Sequence, residues 1–85
     1  MRAGTFKATP QLRIERVRRG LTQEELADKA GVDRGHVSYI ERGKRSMMPA
    51  TASKLVRALG FSFSRALEEH LIELDMTALS EGGHP

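Results

Sequence analysis

The chain has 85 residues, 14 Lys and Arg against 11 Asp and Glu, and no cysteine. That length gives one domain with too small a core to enclose a catalytic cleft, and the missing thiols exclude disulfide staples, zinc fingers and thiolate catalysis. Charge is unevenly placed: eleven basic groups stand against six acidic in residues 1–45, and three against five after them, so the first half suits a polyanion.

Residues 1–9 show no periodicity and read as a flexible arm. Thr9 as N-cap and Pro10 in the first turn open a helix that runs to about Arg19 and stops at Gly20. Its apolar residues, Leu12, Ile14 and Val17, form an imperfect stripe. The second helix opens on a capping box, Thr22 with Glu25: the hydroxyl takes the third helical N–H and the carboxylate reaches back. Leu26, Ala27 and Ala30 share its inner face, and Gly31 ends it. Asp33 caps a third helix with Val37 and Ile40 on one side and Arg34, Ser38 and Tyr39 on the other.

Gly43 ends that helix, and Lys44 to Pro49 form a basic loop in which Met47 and Met48 read as gap-filling packing. A fourth helix starts near Pro49 or Ala50, carries Ala52, Leu55, Val56 and Leu59 on one face, and stops at Gly60. Ser62 or Ser64 caps a fifth, where Phe63, Leu67, Leu71, Leu74 and Ala78 recur every three or four residues. Ile72, Met76 and Leu79 make a neighbouring stripe, and residues 80–85 read as a disordered tail. The pattern predicts an all-α fold of five helices, with the domain over 10–79 and an extended C-terminal helix.

Two short helices joined by a glycine turn make a helix-turn-helix, though the same pattern describes a hairpin that only packs. The run from Gly20 to Arg45 opens on Gly-Leu-Thr-Gln-Glu-Glu-Leu-Ala and closes on Val-Ser-Tyr-Ile-Glu-Arg-Gly-Lys-Arg. It resembles the Cro/C1-type helix-turn-helix family, the lambda-repressor-like (XRE) domains, and the likeness extends from about Leu12 to Leu67. The resemblance implies a five-helix lambda-repressor-like domain, with the helix-turn-helix at helices 2 and 3, that binds double-stranded operator DNA as a homodimer.

Carried over residue by residue, the resemblance implies base contacts from Arg34, Gly35 and Tyr39. Thr22, Gln23, His36, Ser38, Arg42, Lys44 and Arg45 fall on or beside positions that meet the DNA backbone. Arg16 and Glu41 match a pair joined in an internal salt bridge. Glu15 stands where relatives carry an apolar residue, and Ser46-Met47-Met48 precedes a proline that relatives place earlier. The register of helix 1 and the start of helix 4 therefore stay open. Gly35 costs about 1 kcal/mol relative to alanine inside a helix; it either lets the backbone approach DNA or marks a site where any small residue serves.

The apolar excess of helix 5 points to a two-fold dimer interface of Leu71, Ile72, Leu74, Met76 and Leu79, or to cover for the chain's own core. His36, His70 and His84 have neither metal-ligand spacing nor a paired nucleophile, so no metal, cofactor or catalytic residue is expected. With no long apolar run and no secretory signal, a cytoplasmic protein without a membrane partner is expected. The expected function is transcriptional regulation, as a repressor on a roughly palindromic operator. Two rivals stand beside it: an antitoxin that holds a toxin and represses its own operon, and a controller of restriction–modification genes. An enzyme finds no supporting constellation.

Overall fold

Helices this short depend on their ends. The computed structural model describes residues 4–76, and in it five helices are α1 (Pro10–Arg18), α2 (Gln23–Ala30), α3 (Arg34–Glu41), α4 (Pro49–Ala58) and α5 (Phe63–Glu68). Side chains of Thr9, Thr22, Asp33 and Ser62 accept an N–H from the first turn of α1, α2, α3 and α5. At α2 the full capping box forms. α4 begins at Pro49, and its N-cap, Met48, offers no side-chain bond.

All five helices close alike. An N–H two or three residues past the helix end bonds back five residues: Leu21 to Arg16, Val32 to Ala27, Lys44 to Tyr39, Phe61 to Val56 and Leu71 to Ala66. This closure needs one left-handed residue, and the first four helices use glycine. The fifth uses His70, at φ +60°. A non-glycine residue there is strained by about 1–2 kcal/mol, and glycine's greater freedom in the unfolded chain offsets part of the relief. His70→Gly should therefore raise stability by about 0.5–1 kcal/mol. A melting temperature that rises by a few degrees checks it, and a fall would reject the strain.

Leu12, Leu26, Val37, Ile40, Leu55 and Val56 form the centre of the core. α2 packs on α3 and on α4, and α5 closes over α4. α1 faces this core through Leu12, Glu15 and Arg16, while Ile14 and Val17 are exposed. That settles its register. Glu15 can occupy an inward position because it is saturated: Gln11 Nε2, Arg18 Nη1 and Arg19 Nη1 all donate to its carboxylate. The Arg19 hydrogen bond holds the Glu15 carboxyl below its ordinary value against the opposing effect of burial; Gln11 and Arg18 add to the lowering. Glu15 thus stabilises the fold above the unfolded carboxyl's pKa of about 4.3, and the contribution is lost as pH falls through its lower folded value. The melting temperature of Glu15→Gln should fall less on acidification through that window than the wild type's; parallel profiles would reject the coupling.

Two expectations about the chain ends are corrected. Residues 6–8 are not a loose arm but strand β1 (Phe6–Ala8). The fifth helix does not run on to residue 79: α5 stops at Glu68, and Ile72–Leu74 is strand β2. The strands pair antiparallel, Phe6 with Leu74, Lys7 with Glu73 and Ala8 with Ile72. Thr9 binds the turn between α5 and β2, its hydroxyl donating to the His70 carbonyl and its N–H to that of Leu71 at 3.0 Å. Phe6 meets Phe63 edge to face, with ring centres 5.0 Å apart.

This pairing carries Leu71 and Ile72 into the chain's own core, at 0% and 1% exposure. They are therefore corrected from dimer surface to core. Leu74 and Met76 remain exposed. Leu79, Ala78 and the expected tail lie outside the described residues. Met47 is buried as packing, but Met48 is exposed.

Candidate nucleic-acid interface

The turn between α2 and α3 is three residues, Gly31, Val32 and Asp33. Gly31 takes φ +73°, and Val32 N–H reaches back to Ala27 at 2.9 Å. Ala27 is buried, and its small side chain sits beside this turn. Val37 and Ile40 anchor α3 inward. The opposite face is then forced outward: Arg34, Gly35, Tyr39 and Arg42 are exposed, with His36 and Ser38 half-buried.

Gly35 lies close to the cap of its own helix, which spacing alone did not reveal. A methyl group there would come within 3.0 Å of Asp33 Oδ2, the oxygen that accepts the His36 N–H and caps α3. Tyr39 carries the Arg42 guanidinium over its ring at 5.2 Å. Arg34 Nη1 meets Glu24 Oε2 at 3.2 Å across the helix pair, with both side chains largely exposed. Such a pair is worth under about 1 kcal/mol, so it can open readily to release Arg34.

Beneath this surface Arg16 and Glu41 are brought together. Arg16 Nε donates to Glu41 Oε2 at 2.7 Å and Nη2 to Oε1 at 3.0 Å. Arg16 Nη1 also holds the Leu21 carbonyl at 2.7 Å, and Gln23 Nε2 donates to Glu41 Oε1 at 3.0 Å. The Arg16 and Glu41 side chains are 9% and 2% exposed. The guanidinium thus ties α1, the entry to α2 and the end of α3 at one point. Gln23, half-buried, is drawn into this network.

Two hollows flank the start of α3. One, of about 540 Å³, is lined by Arg16, Thr22, Gln23, Glu24 and Arg34. The other, of about 440 Å³, is lined by Val32, Asp33, Gly35, His36, Tyr39, Arg45 and Thr51. Thr51 had no role in the sequence reading; its signal was its place in the first turn of α4, the helix without a side-chain cap. Lys44 and Arg45 are exposed on the turn that follows α3. Among the described residues no cluster of His, Cys, Asp or Glu could hold a metal ion, and no helix is long and apolar enough to cross a membrane.

Known proteins share this arrangement. The restriction-modification controller protein C.AhdI from Aeromonas hydrophila is 40% identical with a TM-score of 0.60, over 61% of this chain and 79% of that one. The clp gene regulator ClgR from Corynebacterium glutamicum is 34% identical with a TM-score of 0.63, over 69% and 63%. A Neisseria meningitidis protein described as a hypothetical transcription factor is 41% identical over 49 residues, 58% of this chain and 46% of the relative. The chain thus matches about half that relative's length. A family model described as Helix-turn-helix matches residues 12–65, which include all of α2 and α3. On that match the chain belongs to the Cro/C1-type helix-turn-helix family of DNA-binding transcription regulators.

Proposed function

We propose that this chain is a repressor that binds a roughly palindromic operator as a homodimer, with α3 in the major groove. The observation that carries this reading is the outer face of α3: Arg34, Gly35, Ser38, Tyr39 and Arg42 give it polar and aromatic groups without one large aliphatic side chain. A helix about 10–12 Å across fits a groove about 12 Å wide. Arg34, Gly35 and Tyr39 would face base edges. Thr22 and Gln23 on one side, and Arg42, Lys44 and Arg45 on the other, would meet the two backbones, with His36 and Ser38 beside them. The open N–H groups at the start of α4 suit a phosphate in the second hollow.

A dimer would set two copies of α3 about 34 Å apart, one turn of the duplex. Of the apolar residues assigned to its interface, Leu74 and Met76 are the described ones still exposed. Control of restriction–modification genes is the second reading, favoured by the similarity to C.AhdI.

Selection of bound sequences from a random duplex pool tests the proposal. A palindrome with half-sites one turn apart is the expected result. An unpaired half-site would overturn the dimeric geometry, and no enrichment would overturn operator recognition. Within the same assay Lys44→Ala should weaken binding to every duplex and reduce the slope of log affinity against log salt by about one. An unchanged slope would remove Lys44 from the backbone contacts.

A further inference from the structure

Lys44 and Arg45 sit on a turn held at both ends. The near end is fixed by α3: Lys44 N–H bonds the Tyr39 carbonyl at 2.9 Å. The far end is held by residues outside the span 12–65 that the family model matches. Phe6 and Met47 exchange both backbone hydrogen bonds, at 2.8 and 2.7 Å. The Ser46 hydroxyl donates to Asp75 Oδ2. Asp75 is itself anchored, 9% exposed, with its N–H on the Thr5 carbonyl at 2.8 Å. Phe6 opens β1 and Asp75 directly follows β2, and the two strands are paired to each other.

We propose that the β1–β2 sheet is a positioning device for the basic turn, with Ser46 and Asp75 as its positioning residues: their hydrogen bond sets how Lys44 and Arg45 are presented to a polyanion backbone. The inference rests on the DNA-binding reading above and adds to it an element from the two ends of the chain. A hydroxyl bonded to a buried carboxylate is a charge-assisted contact that holds one geometry. Fixing the turn before binding removes ordering entropy that complex formation would otherwise have to supply. Neither Ser46 nor Asp75 meets the DNA in this account. Their effect is on affinity for any duplex, not on the choice of sequence.

The test uses the full chain with Ser46→Ala, Asp75→Ala, their double variant and Asp75→Asn, which keeps an acceptor oxygen. Amide exchange at residues 44–47 is read in the free protein. Binding to the selected operator and to an unrelated duplex is read at a temperature where circular dichroism shows each variant folded. Both alanine variants should speed exchange in the turn and weaken both duplexes by the same factor, about five- to tenfold. The double variant should be no weaker than either single one, and Asp75→Asn, a neutral acceptor, should recover part of the loss. Folded variants that bind like wild type, or that lose discrimination instead of affinity, would overturn the sheet's role. Unchanged exchange beside intact wild-type binding would overturn that role alone. Wild-type protein that binds no duplex would overturn the DNA reading and the turn's part in it.

Discussion

Replacing Glu41 with alanine should lower the stability of the folded chain by about 3–5 kcal/mol. The carboxylate accepts both guanidinium bonds from Arg16 and the amide of Gln23. Its removal leaves a cation 9% exposed at the side chain, with the Leu21 carbonyl still accepting from Nη1. A buried charge without its counter-ion is costly because water cannot replace what the carboxylate supplied. In a domain of this size each 1 kcal/mol moves the melting temperature by about 4–8 °C, so a fall of at least about 12 °C is expected. A fall under about 4 °C would reject the structural role. Removing both charges tells the pair's net worth from the cost of breaking it. Arg16→Met with Glu41→Leu should recover much of the loss, since neither desolvation penalty then remains. Operator affinity measured well below the transition should change far less than stability does.

Arg34→Ala should act in the opposite way, on recognition and not on folding. Arg34 lies at the start of α3 with its side chain exposed and, among the described residues, paired with Glu24. That surface pair contributes little to stability. If the guanidinium reads a guanine through O6 and N7, its loss should flatten preference at one base pair per half-site by about 1–3 kcal/mol, roughly 5–150-fold. Preference elsewhere, melting temperature and salt slope should hardly move. The check is a repeat of the selection with the variant. A uniform loss across all positions, with a shallower salt slope, would reassign Arg34 to the backbone.

The regions that were legible in the sequence share a physical property. Thr22, Gly31, Asp33 and Gly43 act on N–H and carbonyl groups within a few residues of themselves, so α2 and α3 begin and end where their caps and glycines stand. The inward and outward faces of α3 follow from helical period once Val37 and Ile40 are buried. Glu15 was harder. Its inward position depends on Gln11, Arg18 and Arg19 converging on one carboxylate, which an apolar pattern does not register. Gly35 was similar, its closeness to the Asp33 carboxylate depending on how that side chain is aimed.

The chain ends were read least well. Leu71 and Leu74 fit one helical stripe and Ile72 a neighbouring one as they stand in the sequence, yet Ile72 and Leu74 are strand residues and Leu71 lies in the turn before them. β1 is only three residues long, too short to show alternation. Neither strand has a reason to form until the other is beside it, because the backbone bonds and the Phe6–Phe63 contact join residues far apart in the chain.

Local chemistry was therefore enough to place the helix pair, its glycine turn and the polar face of α3. Caps, left-handed residues and helical period act over one or two turns and need no distant partner. Long-range contact alone decided that residues 6–8 and 72–74 form a sheet, that Leu71 and Ile72 are core, and that Ser46 meets Asp75. Those outcomes depend on which surfaces the helices leave open once packed, and periodicity along a single segment carries no record of them.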